Sequence, residues 1–149
     1  MKTFYGSATA TLRRVMIRLG LAPDWRTRDH LKLGRQGEAL AARYLRRQGM
    51  RILRRNFKSG RLEIDLIAGD GGTLVFVEVK TRQSLAYGEP ETAVDERKRR
   101  RIRAVAKAFA RQSRKFRDGF PCRFDIVAID CSRPDRPPMV RHIKNAFSW

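Results

Sequence analysis

The stretch RLEIDLIAGDGGTLVFVEVKTR, Arg61 to Arg82, reads as two β-strands joined by a tight turn. Gly71 and Gly72 supply a two-residue loop, because glycine tolerates the positive φ that such turns need. With Asp70 facing Thr73, each step back along one strand matches a step forward along the other. Ile67 then faces Phe76, Asp65 faces Glu78 and Glu63 faces Lys80. The second strand is apolar on both of its faces, with Val75, Val77 and Val79 on one and Leu74 and Phe76 on the other, which suits a strand inside a sheet covered on both sides. Glu63, Asp65, Glu78 and Lys80 therefore interrupt core strands, all on one face at one end of the hairpin. Buried charge is costly unless it is paired or metal-bound, and directly opposed carboxylates destabilise a bare pair of strands. Something positive is expected between Asp65 and Glu78, as in a hard, oxygen-ligated cation site.

Outward from the hairpin, the region Gly34 to Gln48 has helical spacing, with Ala41 and Leu45 on an apolar stripe and Gly49 as the stop. At 100° per residue, Glu38 lies within about 60° of Ala41 and about 20° of Leu45, so it shares the core-facing stripe. A first-turn acid offsetting the helix dipole is the alternative explanation. Met50 to Asn56 alternates as a strand near a sheet edge. A second helix is expected from about Thr92 to Arg114, with Val94, Ile102, Val105, Ala106 and Phe109 on its apolar face. RFDIVAID follows as a strand, and MVRHIK as a short one beyond a proline-rich loop. Helix, three strands, helix and one or two strands imply an α/β sandwich around a mixed central sheet.

The chain has 149 residues, 42% of them hydrophobic, which is one domain's worth. We divide it into a basic N-terminal extension, 1–33, and a domain, 34–149. Within the extension Leu12, Val15, Met16 and Leu19 fall on one helical face, but arginines interrupt any apolar leader segment. There are 34 Lys and Arg against 15 Asp and Glu, a net charge of +19, which points to a polyanionic partner and first to nucleic acid. Between Val94 and Arg117 stand eleven basic residues and two acids, Asp95 and Glu96. Lys98, Arg99, Arg100, Arg101 and Arg103 are the candidate phosphate contacts, against the plainer reading of a solvated basic helix. Scattered aromatics argue against a base-stacking platform.

Cys122 and Cys131 flank the strand RFDIVAID, which would hold them about 30 Å apart, too far for a disulfide. With no CxxC pair, a reducing cytoplasm is expected and a Cys/His zinc site is disfavoured. The histidines His30 and His142 read as structural or surface residues. No apolar run is long enough to span a membrane. No Ser/His/Asp or Cys/His set and no GxxxxGK[ST] loop is present, which leaves covalent hydrolase and NTPase readings unsupported.

An acid on a helix, an acid on one strand and Glu-x-Lys on the next resembles the PD-(D/E)xK, or restriction-endonuclease-like, nuclease superfamily. More closely, GRQGEALAARYLRRQGMRILRRN, EIDLIA, VFVEVKTR and RFDIVAI, in this order, resemble the YraN-like family of uncharacterised bacterial proteins. That family is similar in fold to archaeal Holliday-junction resolvases. The resemblance runs from Gly34 to Phe147 and departs at Leu62, where the family usually has glycine. It implies a three-layer sandwich and a Mg2+- or Mn2+-dependent endonuclease acting on structured or branched DNA. It further implies that Asp65 and Glu78 are metal-ligating carboxylates, with the carbonyl of Val79 as a further ligand and Glu38 completing the shell. Lys80 would orient or activate the attacking water, and Glu63 would only pair with Lys80. Symmetric cutting of a junction would call for a homodimer. Two other readings compete: a non-catalytic nucleic-acid-binding protein that keeps the fold, and a structural salt-bridge network, which would stabilise no better than apolar packing.

Overall fold

The computed structural model describes residues 14–19, 22–84, 95–113, 116, 120–133 and 136–147. Two helices, α1 (His30–Arg47) and α2 (Glu96–Gln112), cover a five-stranded sheet built from β1 (Arg51–Ser59), β2 (Leu62–Asp70), β3 (Thr73–Arg82), β4 (Cys122–Asp130) and β5 (Met139–Phe147). The strands lie in chain order, and every neighbouring pair is antiparallel except β3 and β4. That parallel pair requires a crossover, which α2 provides. The expected α/β three-layer sandwich with a mixed sheet is the observed architecture.

The turn between β2 and β3 forms at Gly71 and Gly72, with φ of 53° and 94°, and Asp70 pairs with Thr73. This fixes the register expected from the sequence as far as Leu66 opposite Val77. Alternation along β3 then sorts the core into two layers. Val75 and Val77 pack with Leu66, Ala68, Val127 and Ile129 beneath Leu33, Ala41 and Leu45 of α1. Leu74 and Phe76 pack with Ile67, Phe124 and Ile126 beneath Ile102, Val105, Ala106 and Phe109 of α2. Leu74 to Glu78 are all buried, as a strand covered on both faces must be.

Helix α1 begins earlier than the expected Gly34. The Asp29 carboxylate accepts hydrogen bonds from the N–H groups of Leu31 and Lys32, at 2.9 and 3.1 Å, and so caps a helix starting at His30. Trp25, on the extension side of the boundary drawn at Gly34, is buried in the α1 layer. The Gln83 side chain donates to the carbonyls of Trp25 and Thr27, both at 2.8 Å. Residues 14–18 are helical, and Val15, Met16 and Leu19 are exposed, while Leu12 lies outside the described residues. So do Thr92, Val94 and Arg114 at the ends of the expected second helix. No helix among the described residues is long and apolar enough to cross a membrane. Cys122 and Cys131 are both free thiols.

The sheet edges are held differently. β1 carries exposed Arg51, Arg54, Arg55 and Lys58, and its register shifts between Ile52 and Arg54, features that discourage further strand addition. β5 is tied to β4 through Asp125, whose side chain is 0% exposed. That carboxylate contacts His142 Nε2 at 2.8 Å and accepts from Arg123 Nε at 3.1 and 3.2 Å and from the Asn145 N–H at 2.9 Å. Burial pushes the Asp125 pKa up, but these bonds outweigh it and hold the carboxyl below its ordinary value. His142 is thereby a structural residue, and His30 is an exposed first residue of α1.

Helix α1 comes unusually close to β3 at Gly37, where an added Cβ would fall 1.8 Å from Thr81 Oγ1. Glycine inside a helix costs roughly 0.5–1 kcal/mol relative to alanine, so on propensity alone Gly37→Ala should stabilise. Because the contact forbids a side chain, the substitution is expected to destabilise instead, by about 1–3 kcal/mol, measured by urea unfolding. Unchanged or increased stability would show that the helix can move off the strand freely.

Candidate active site

The register that holds from Asp70–Thr73 to Leu66–Val77 would place Ile64 opposite Val79, Asp65 opposite Glu78 and Glu63 opposite Lys80. None of these pairs forms, because β2 leaves β3 beyond Leu66. Ile64 accordingly packs in the α2 layer although Leu66, two residues on, packs in the α1 layer. The departure leaves the Val79 N–H without a backbone partner on that side, and a buried unpaired N–H is costly. The Asp65 carboxylate fills the gap, with Oδ2 accepting from Val79 N–H at 2.6 Å. In an extended strand the N–H and C=O of one residue point the same way, so the Val79 carbonyl also faces this split.

The split brings together groups from both helical layers. Glu78, only 7% exposed, lies beside Asp65 and is joined through Oε1 to the ammonium groups of Lys80, at 2.9 Å, and of Lys98 on α2. From the opposite layer Glu38 approaches, its Oε2 accepting from Asn56 Nδ2 of β1 at 2.7 Å. Asn56 has φ of 48°, a left-handed conformation that asparagine tolerates better than most residues. Glu38 lies well inside α1, whose first turn contains no acid, so it does not serve the helix dipole.

The electrostatics single out Asp65. Burial, then the charge of Glu78 and more weakly that of Glu38, raise its pKa from 3.8 to about 7, against the opposing Val79 hydrogen bond and Lys98. Burial alone would lower the pKa of Lys80, but the charge and hydrogen bond of Glu78 raise it overall, so its ammonium form is favoured. Asp65 and Glu78 form a carboxylate pair whose oxygen chemistry fits Mg2+ or Mn2+. Among the described residues, no three carboxylates, histidines or cysteines converge closely enough to hold an ion as they stand.

Several expected site residues have other places. Glu63 does not meet Lys80: it is exposed and pairs with Lys58 across β1 and β2 at 3.5 Å, because the two hairpin strands have already parted. Lys98, read from sequence as a phosphate contact, turns inward to Glu78. Arg103 and Arg99 lie near Glu96, at 3.1 and 3.9 Å, and Arg99 also sits 5.4 Å from the Phe147 ring centre. Arg100 and Arg101 are exposed as expected. With Arg97, Lys107 and Arg111 they make a basic stripe along the outer face of α2, at the spacing of one helical face. Sequence reading missed Asn56 and the inward role of Lys98. A polar residue opposite Asp65 was the available signal for the first, and nothing local marks the second.

Because the folded state holds the Asp65 proton more tightly than the unfolded chain does, stability should fall as pH rises from about 4 to about 7. Asp65→Asn keeps an oxygen acceptor for Val79 N–H and removes the half-buried charge. Without divalent ions it should raise the melting temperature at pH 8 by roughly 3–6 °C and change it little at pH 4. A loss of stability at pH 8 would contradict this account of the site.

The family model described as "Uncharacterised protein family UPF0102" matches residues 37–129, which span both Glu38 and the hairpin acids. A UPF0102 protein of Rhodococcus opacus is 48% identical over 118 residues, 79% of this chain and 98% of that one. A UPF0102 protein of Pseudomonas aeruginosa is 44% identical over 114 residues, covering 76% and 90% of the two chains. One from Geobacter sulfurreducens is 48% identical over 115 residues, 77% of this chain and 88% of its own. On the extent of these matches, the chain is a member of the uncharacterised protein family UPF0102.

Proposed function

We propose that this protein is a metal-dependent endonuclease that hydrolyses phosphodiester bonds in structured or branched DNA. The observation that carries the reading is the pair of carboxylates, half-buried Asp65 and buried Glu78, kept beside Lys80 where β2 parts from β3. Burial and the charge of Glu78 drive the Asp65 pKa up despite the nearby Lys98, and such perturbed groups cluster at functional sites. Helix α2, which carries the basic stripe, also reaches this place through its inward-turned Lys98, which touches Glu78.

In this reading Asp65, Glu78, the Val79 carbonyl and Glu38 would hold Mg2+ or Mn2+. The bound ion would polarise the phosphoryl oxygen and lower the pKa of its water. Lys80, kept protonated by Glu78, would orient the attacking water and offset charge on the scissile phosphate. Arg97, Arg100 and Arg101 would position the phosphate backbone without reading bases. Two-strand cutting of a junction would call for a homodimer.

A second reading, a non-catalytic nucleic-acid-binding protein with the nuclease fold, is favoured by one feature. Glu78 is already joined to two ammonium groups, and no three ligating side chains converge among the described residues. The deciding experiment is cleavage of labelled duplex, single-strand, flap and four-way-junction DNA with Mg2+ or Mn2+. Wild type should cut, preferring one structured substrate, while Lys80→Ala and Asp65→Asn should lose about a hundredfold or more in rate. Tight binding with no cutting would favour the second reading. In either case, replacing Arg97, Arg100 and Arg101 by alanine should flatten the dependence of affinity on salt, by roughly one unit of log–log slope for each phosphate no longer neutralised. An unaltered slope would remove α2 from the interface.

A further inference from the structure

We propose that Lys98 is an internal counter-ion, displaced from Glu78 when a divalent cation binds, and that its release adds a positive charge to the outer face of α2. Cation binding and phosphate binding would then reinforce each other. The inference rests on the cation site proposed above and concerns what occupies that site beforehand.

Both lysines meet the same oxygen of Glu78, Oε1, and they differ in how they are held. Lys80 extends from β3 inside the sheet, and its side chain is 25% exposed. Lys98 extends from the first turn of α2, and its side chain is 34% exposed. An ammonium near a helix N-terminus faces the positive end of the dipole, so the helix itself does nothing to keep Lys98 there. Glu78 is what draws it inward. Lys98 is also the more exposed of the two side chains.

Charge counting gives the same order of events. Ionised Asp65, Glu78 and Glu38 outnumber Lys80 and Lys98 by one. Adding a divalent cation leaves one excess positive charge in a poorly solvated split, and moving Lys98 outward removes it at little solvation cost. The released ammonium would lie on the helix that carries exposed Arg97, Arg100 and Arg101. Arg99 and Arg103 have Glu96 as a nearby carboxylate, whereas Lys98 has Glu78, so Lys98 is the member of this basic run tied to the carboxylate pair. Coupling of this kind is reciprocal: whatever the cation does for phosphate affinity, phosphate must do for the cation.

The test is calorimetric titration of the full chain with Mn2+ alone, comparing wild type with Lys98→Met, Lys98→Arg and Asp65→Asn, each checked for folding by circular dichroism. Lys98→Met should bind Mn2+ roughly fivefold or more tightly than wild type, Lys98→Arg should remain near wild type, and Asp65→Asn should lose binding. In parallel, Mn2+ should strengthen wild-type binding to a short, cleavage-resistant phosphorothioate duplex, and this strengthening should be lost in Lys98→Met. Mn2+ binding that requires Asp65 but is no tighter in Lys98→Met would overturn the counter-ion role alone. No Mn2+ binding in any variant, or binding that survives Asp65→Asn, would overturn the cation site itself and this inference with it.

Discussion

A single backbone N–H sets the terms for the rest of this structure. Val79 lies at a half-buried position on a central strand whose neighbour has turned away, and an N–H left unpaired there is costly. The Asp65 carboxylate takes that hydrogen bond and is thereby fixed beside Glu78, at a break in the sheet. Once a carboxylate is committed there, the surroundings must manage its charge. Lys80, Lys98 and Asn56 with Glu38 are the groups that the fold brings to the break.

The break matters because it joins the two faces of the sheet. In an unbroken sheet, Glu38 of the α1 layer and Lys98 of the α2 layer would be separated by the strands. Here both act on Asp65. The approach of α1 depends on Gly37, which lets the helix lie against Thr81. The approach of α2 depends on Ile102, Val105, Ala106 and Phe109 gripping the opposite layer. Core packing on each side therefore determines the electrostatics between them.

Two aspartates, buried Asp125 and half-buried Asp65, show how differently this fold treats carboxylates. Asp125 receives bonds from Arg123 and Asn145 and contacts His142, and its pKa is held down. Asp65 receives one backbone bond and faces other acids, and its pKa is driven up. The first arrangement suits a group that locks β5 in place. The second keeps a carboxylate beside other acids with its charge only partly offset by Lys98, a condition that functional sites commonly tolerate. Asp65 thus stands apart from the structural network that ordinary pairing would have produced.

The chain read alone carried the hairpin, its register near the turn, the two-sided burial of β3, the core face of α2 and the proximity of Asp65 to Glu78. These follow from turn chemistry and from periods of 2 and 3.6 residues, which act between near neighbours in the chain. It also placed Glu38 correctly on the inner side of α1, although the Asp29 cap moved the start of that helix. The fate of Glu63, the inward turn of Lys98 and the contact between Glu38 and Asn56 were legible nowhere in the sequence pattern. Lys98 and Glu78 are 20 residues apart, and Glu38 and Asn56 are 18 apart. Such meetings depend on where a strand departs from its neighbour and how closely each helix packs on the sheet. Those distances are set by the assembled core, which no single stretch of sequence contains.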